Sequence, residues 1–340
     1  LYSQGIIAET RAELAAAQLV GEELLGLATE SGDVGIAIAG RVRLGIVAYY
    51  RGGFAVARDH LTEALALCAR GRHELRDTAI APDPHVAAAY LGVALVHLGD
   101  TAQALAQGEA AVEGARRFGA SSPAYALALS LLPRALEVLR DVPRCGARAR
   151  TLVNLCEEQG FNFLLAIGQC SLGWATAQQG DVDVGLLMLS DAVANLQASG
   201  ARIRPQVGKY LLTDALALAG RRSEALATVD EVLAFSAATG ARFLDAELLR
   251  RKGDLLADTD AAKAESAFRQ AIVVARSQAA LLFELRASTS LARLLRGQDR
   301  SAEAQDLMRA FEPWLREAAD CADVREARAL LADLPLLSPI

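Results

Sequence analysis

The sequence predicts an all-α solenoid of about eight antiparallel helix pairs that repeat with a period of about 40 residues. Three observations lead to this fold class. The 340 residues are 53% hydrophobic but only 5% aromatic, and alanine and leucine dominate, which favours helices over strands. Glycines recur at a nearly fixed interval. Apolar residues follow each other at helical spacing between these glycines.

The first series of glycines predicts where each second helix ends. Gly119, Gly160, Gly200 and Gly240 lie 41, 40 and 40 residues apart, and Ala280 follows 40 residues later. Each of them closes one apolar-periodic segment and precedes another. Glycine is common directly after a helix because it adopts the left-handed conformation without a Cβ penalty.

The second series lies about half a repeat away and separates the two helices of each pair. About five positions later comes a small residue, such as Ala57 or Ala264, which lets the second helix approach the first closely. Larger apolar residues then follow at helical spacing. The members of the second series are Gly52, Gly99, Gly180 and Gly220, with Asp141 and Asp299 in the same role.

These positions resemble the tetratricopeptide repeat. Leu44, Leu91 and Leu172, each followed by glycine, match the Leu-Gly pair of its first helix. Ala264 and Phe268 match the signature of its second helix, as do Ala57, Leu61 and Ala64. The period is about 40 residues instead of about 34, and the first-helix Trp and Tyr are mostly absent. The resemblance implies a right-handed superhelix with longer helices.

We expect one solenoid over residues 1–340, with N-terminal pairs at 1–68, an irregular insertion at 69–86, regular pairs at 87–334 and a tail at 335–340. The insertion is either an interaction loop or a plain spacer. Because the chain begins at Leu1 without Met, we expect it to be truncated upstream. The helix within residues 6–31 should then expose apolar surface, since each repeat buries its face on a neighbour.

Composition and motifs argue against several classes of function. The net charge of -6 makes non-specific binding of nucleic acid or anionic membranes unexpected. The five cysteines are scattered without metal-ligand spacing, and no phosphate loop, nucleophile elbow or paired-histidine motif occurs. We therefore predict no catalytic residues, no metal and no cofactor. The absence of a secretory signal and of a long apolar run predicts a cytoplasmic protein.

The first helix of each pair should line the concave face, so exposed positions can be compared by register. Arg202 and Arg242 are equivalent in adjacent pairs, and stacking should set them about 10 Å apart. With Lys209 they could receive an acidic peptide or a phosphate. The alternative is a solvated face neutralised by carboxylates. The candidate groove contacts are Asn162, Gln169, Arg202, Gln206, Lys209, Arg242, Asp245 and Arg250.

A more particular resemblance begins at about Leu61. Segments such as RTLVNLCEEQGFNFLLAIGQCSLGWATAQQGDVDVGL and AESAFRQAIVVARSQAALLFELRASTSLARLL resemble the C-terminal helical array of large bacterial multidomain regulators. In those proteins a nucleotidyl cyclase or DNA-binding domain precedes a signal-transduction ATPase module and then the array. One departure follows Trp314, where the chain reads LREAADCADV. The resemblance implies a sensor or scaffold whose catalytic parts lie upstream.

These observations predict a non-catalytic solenoid that binds and regulates. Its partner would be a protein or peptide, the upstream ATPase or output domain of the same polypeptide, or a small anionic ligand; nucleic acid and membranes are not expected partners. Two other classes remain open. The chain could be a structural module that oligomerises its parent, or an enzyme with a site in the concave groove.

Overall fold

The computed structural model describes residues 1–71 and 84–333. These two ranges contain eighteen helices and no strand. In chain order they are α1 (Tyr2–Thr10), α2 (Leu14–Ser31), α3 (Val34–Tyr50), α4 (Phe54–Gly71), α5 (Pro84–His97), α6 (Thr101–Phe118), α7 (Pro123–Leu139), α8 (Val142–Gln159), α9 (Asn162–Gln178), α10 (Val182–Ala198), α11 (Ile203–Leu218), α12 (Arg222–Thr239), α13 (Asp245–Leu256), α14 (Ala261–Ser277), α15 (Leu281–Arg296), α16 (Ser301–Arg309), α17 (Glu312–Glu317) and α18 (Ala322–Asp333).

The described helices form eight consecutive antiparallel pairs, from α1 with α2 to α15 with α16. The second helix of the eighth pair is broken, because α16 ends at Arg309 and α17 starts at Glu312 with Pro313 in its first turn. Together these two short helices cover 301–317, which is 40 residues after α14. Helix α18 packs on α15 as the first helix of a further pair. The predicted all-α fold class is confirmed.

The glycine series predicted the helix ends at most positions but not at all of them. Gly160 and Gly240 are left-handed C-caps of α8 and α12, with φ of 74° and 75°. Gly119, by contrast, has an extended backbone. In the fourth pair the left-handed residue is Arg140, with φ of 57°, and Asp141 is instead the N-cap of α8, where its side chain accepts a hydrogen bond from the Arg144 N–H.

The margins of the expected insertion at 69–86 are helical. Helix α4 continues to Gly71 and α5 begins at Pro84. Residues 72–83 lie outside the described residues, and so does the expected tail at 335–340. At the other end of the chain, α1 and α2 expose apolar side chains as expected: Ile7 is 51% and Leu19 is 65% exposed.

Distant repeats meet between successive turns of the superhelix. The Arg202 N–H donates to the Thr10 carbonyl at 2.9 Å, which joins the start of α11 to the end of α1. The Phe243 N–H donates to the Tyr50 carbonyl at 3.2 Å, which joins the start of α13 to the end of α3. The solenoid therefore curves so tightly that most of its concave face is an interior and not an open groove.

This interior changes in character along the superhelix axis. Towards the N-terminal repeats it is aromatic: Phe54 stacks on His97 with ring centroids 4.1 Å apart, and Tyr49 and Tyr50 pack against Phe243 at 5.5 and 5.2 Å. Towards the C-terminal repeats the buried side chains include charged ones, namely Glu247, Arg251, Arg286 and Asp323. We call this interior the channel and its C-terminal part the polar end. The polar end is the part of the channel where a charged or hydrogen-bonding ligand can bind.

Candidate binding site

The cations that the sequence singled out each have a partner in the structure. Lys209 Nζ lies 2.5 Å from Glu231 Oε1, and Arg242 Nε lies 3.2 Å from Asp245 Oδ2. Arg202 places its guanidinium over the Phe235 ring, 5.6 Å from the centroid. These cations do not form an unpaired basic surface, so the arrangement that would have favoured an anionic ligand at this place is not present.

The other predicted contacts are spread over different environments. Arg250 Nη2 binds Glu247 Oε1 at 2.6 Å and is half-buried. Gln206 and Asp245 are buried, Gln169 is partly buried, and Asn162 is exposed at the start of α9. Of the eight residues, only Arg250 lines the polar end of the channel described next.

A cavity of about 500 Å³ opens at the polar end, between the C-terminal end of α7 and helices α13, α15 and α18. We call it the arginine cavity, because four arginines and three carboxylates line it: Arg140, Arg250, Arg286, Arg293, Asp254, Asp323 and Glu326. Its volume is within the range of 300–1,000 Å³ that is typical of ligand sites.

A second cavity of about 360 Å³ adjoins the arginine cavity. Arg250 and Asp254 line both cavities, and their side chains are ion-paired to each other. Thr213 and Asp214 of α11 form part of the second cavity. Together the two cavities extend along three successive first helices, which is the arrangement that an extended chain segment would require.

Buried ion pairs form the inner wall of the arginine cavity. Arg286 of α15 is 5% exposed and donates from Nε to Asp323 Oδ1 at 2.8 Å and from Nη2 to Asp323 Oδ2 at 2.7 Å. Its Nη1 lies 3.0 Å from Glu247 Oε1. Burial opposes ionisation of Glu247, but Arg250 and Arg286 outweigh it and lower the pKa of this carboxyl to about 2. The inner wall is therefore charged and fully paired at neutral pH.

The outer wall is more exposed. Glu326 of α18 accepts from Arg140 Nη2 at 2.6 Å and from Arg293 Nη2 at 3.1 Å. Burial raises the pKa of Glu326, while the charges of Arg140 and Arg293 outweigh that effect and lower it overall. Between one third and one half of each of these three side chains is exposed.

Arg140 adopts the left-handed backbone conformation that its place in the repeat requires, as the non-glycine residues Ala12 and Asp299 also do. The corresponding residue is glycine in four other pairs, at Gly52, Gly99, Gly180 and Gly220. A left-handed conformation costs a residue with a Cβ about 1–2 kcal/mol relative to right-handed backbone. The same residue keeps its Nε buried without a hydrogen-bond partner. The fourth pair thus retains a strained arginine whose hydrogen-bonding capacity is only partly used.

Solved structures share this architecture. A Rap protein complexed with Competence and Sporulation Factor superposes with a TM-score of 0.62 at 11% identity, over 95% of this chain and 80% of that one. The Rap conjugation gene regulator of plasmid pLS20, in complex with the Phr* peptide, gives 0.58 at 12% identity over 84% and 78%. Aspartyl phosphate phosphatase F from Bacillus subtilis gives 0.51 at 13% over 93% and 77%. The chain has the tetratricopeptide-like helical repeat fold.

At such low identities these likenesses show the fold alone. No protein-family model matches the sequence, and no curated protein matches it. Within residues 1–71 and 84–333, no group of three or more His, Cys, Asp or Glu side chains is arranged to hold a metal ion. In the same described part of the chain, no helix is both long and apolar enough to cross a membrane.

Sequence reasoning missed most of the arginine cavity, although one signal pointed to it. Phe243, Phe283 and Asp323 follow one another at intervals of 40 residues, which is one repeat, and all three are buried. A carboxylate at an inward position that is otherwise aromatic needs a buried cation. Comparison by register would therefore have predicted a charged interior at the end of the array.

Proposed function

We propose that this chain is a non-catalytic regulatory module that binds a peptide or protein partner in the polar end of its channel. The observation that carries the proposal is the pair of adjoining cavities, about 500 and 360 Å³, along the inner side of α11, α13 and α15. An extended segment fits this shape, and its backbone can bond to the polar side chains that line it.

Support for a peptide partner comes from proteins of similar fold. Two of the superposed Rap structures contain a bound factor or peptide, as their names state. The resemblance of the sequence to the arrays of bacterial multidomain regulators supports a further proposal. The chain acts in the cytoplasm as the sensor or scaffold of an ATPase or output domain of its own polypeptide.

A cavity-filling variant tests the proposed function. Ser290 lines the arginine cavity, so Ser290→Trp should obstruct it, whereas Ser277→Trp adds the same side chain at an exposed position of α14. The wild type and both variants are purified from the native host and compared by native mass spectrometry before and after denaturation. We expect a partner with the wild type and the Ser277 variant, but not with the Ser290 variant. Equal retention by all three would contradict a site in the channel.

A second candidate function, assembly of a multidomain parent, is favoured by the exposed apolar residues of α1 and α2, such as Ile7 and Leu19. Analytical ultracentrifugation distinguishes it from the first. Self-association that Leu19→Glu abolishes would support assembly, while a monomer at all concentrations would argue against it.

A further inference from the structure

The ion pairs of the arginine cavity form one alternating chain of charges. It runs from buried Glu247 through Arg286 to Asp323, as described for the inner wall. It continues through Arg140, whose Nη2 lies 2.9 Å from Asp323 Oδ1, and then through Glu326 to Arg293. The chain therefore begins with a buried carboxylate and ends with an arginine at the mouth of the cavity.

The two ends of this charge chain differ in how strongly they are held. Asp323 and Glu247 have side chains that are 1% exposed, so neither can leave its arginines without a large desolvation penalty. The Glu326 side chain is 37% exposed, and the Arg293 side chain 48%. Exposed pairs of this kind contribute little to stability, so water or another anion can replace the carboxylate at low cost.

Arg140 connects the buried end of the charge chain, at Asp323, to its exposed end, at Glu326. Its left-handed backbone, where four other pairs have glycine, directs a guanidinium into the cavity, and its Nε remains unpartnered. Glycine would close the same turn without strain, whereas arginine also supplies the ion pairs with Asp323 and Glu326. Because the Arg140 side chain is 33% exposed at the cavity while it contacts buried Asp323, its guanidinium can bind a ligand without leaving this buried partner.

We propose that Arg140 and Arg293 bind a carboxylate of the partner peptide, in the place that Glu326 occupies here. Glu326 presents one oxygen to each arginine, which is how an incoming Asp, Glu or C-terminal carboxylate would be held. Glu326 is thus an intramolecular substitute that the ligand displaces, and it sets a threshold for binding. This assignment rests on the proposed function and adds the chemical class of the ligand and the residues that select it.

The test uses the full chain on an array of eight-residue peptides of randomised sequence, made with free and with amidated C-termini and including phosphoserine. We expect the wild type to retain peptides enriched in Asp or Glu, or those with a free C-terminus; the amidated set tells these two sources apart. R140G and R293Q should each weaken the retained peptides about tenfold, the contribution of a charged hydrogen bond.

Two controls separate binding from folding. R140G relieves the left-handed strain while it removes an ion pair, so its melting temperature should stay within about 4 °C of the wild type. R276Q removes an exposed arginine that is paired with Glu284 on the outer surface and should bind like the wild type. E326Q should tighten binding of the acidic peptides about threefold to tenfold, because its amide competes less well for the arginines.

The outcomes distinguish the two proposals. The carboxylate site would be overturned if the wild type showed no preference for acidic peptides, or if R140G and R293Q retained the same peptides as the wild type. Either result would leave the proposed peptide-binding function intact. Enrichment of phosphoserine over Asp and Glu would overturn the carboxylate as ligand class. Unchanged affinity in E326Q would overturn the displacement. If the wild type retains no peptide and no host protein, the proposed function fails, and the carboxylate site fails with it.

Discussion

Arg286 and Asp323 form a bidentate ion pair inside the superhelix, with donor–acceptor distances of 2.8 and 2.7 Å. The pair joins α15 to α18 and is almost inaccessible to water. The same guanidinium also reaches Glu247 of α13, so a single side chain connects three successive first helices. The buried pair therefore holds the inner wall of the arginine cavity in place, while the exposed side chains of the outer wall can change partners.

Breaking this buried pair should destabilise the protein far more than breaking the exposed one. Asp323→Asn removes the bidentate partner of Arg286 and leaves its buried charge balanced only by Glu247, for which we expect a loss of about 3 kcal/mol in the free energy of unfolding. Arg293→Gln removes an exposed partner of Glu326 and should cost less than about 1 kcal/mol. Urea titrations followed by circular dichroism measure both, and similar costs for the two variants would contradict the distinction.

The repeat could be predicted from the sequence because it is local, whereas the site depends on contacts between distant turns. Gly160 and Gly240 end their helices through the conformation of single residues, which a sequence pattern reveals. Arg140 and Glu326, by contrast, meet although 186 residues separate them. Their contact depends on the summed curvature of several repeats, and small rotations between repeats leave no signature in the sequence.

The wrong prediction for Lys209 has a more local cause. Its place on a first helix follows from periodicity, but the prediction that it is exposed assumes an open groove. Lys209 is only 8% exposed, and its Nζ binds Glu231 of α12, the second helix of its own pair. Register identifies which residues face inward; it does not reveal whether the inside is solvent or protein.

A contact between turns of the superhelix should be detectable at Gly52. Its φ is 80°, and a Cβ there would overlap the side-chain amide of Gln278, which donates to the Arg242 carbonyl at 2.8 Å. Gly220 has a similar φ of 72° but no neighbouring atom within 4 Å of such a Cβ. Gly220→Ala should therefore cost about 1 kcal/mol from backbone strain alone.

Gly52→Ala combines that strain with displacement of the Gln278 side chain, which breaks its hydrogen bond to the Arg242 carbonyl and should cost about 1 kcal/mol more. Chemical denaturation of the two variants under identical conditions gives the difference directly. Equal costs would mean that the Gln278 side chain moves aside without loss, so that its bond between the two turns does not stabilise the fold.

The hydroxyl of Tyr90 joins two distant repeats and should contribute more to the stability of the fold than the hydroxyl of Tyr50. It lies 3.1 Å from the Tyr50 hydroxyl and accepts from Arg204 Nη2 at 2.9 Å. Tyr90→Phe removes an acceptor from a guanidinium and should cost about 1.5–3 kcal/mol, the range for hydrogen bonds to charged groups. Tyr50→Phe removes a neutral bond only and should cost about 1 kcal/mol. A reversed order in thermal unfolding would argue against the Arg204 contact.

His97 should make the protein sensitive to acid. The ring is fully buried, stacks on Phe54, and has no hydrogen-bond partner for either nitrogen. Burial, reinforced by the nearby charges of Arg134 and Arg286, lowers its pKa well below the usual value. In the unfolded chain the imidazole takes up a proton near pH 6.5, whereas in the folded state it does so only at much lower pH.

Because the unfolded state binds the proton more readily, stability should fall as the pH drops below about 6.5. Between pH 7 and pH 5 this single group should contribute about 2 kcal/mol of lost stability. His97→Leu, which keeps an apolar side chain of similar size against Phe54, removes the titrating group and should show a pH dependence weaker by that amount. Urea unfolding of both proteins at the two pH values measures the difference, in which the carboxylates common to both cancel. Parallel losses in the two proteins would show that His97 can be protonated within the folded superhelix.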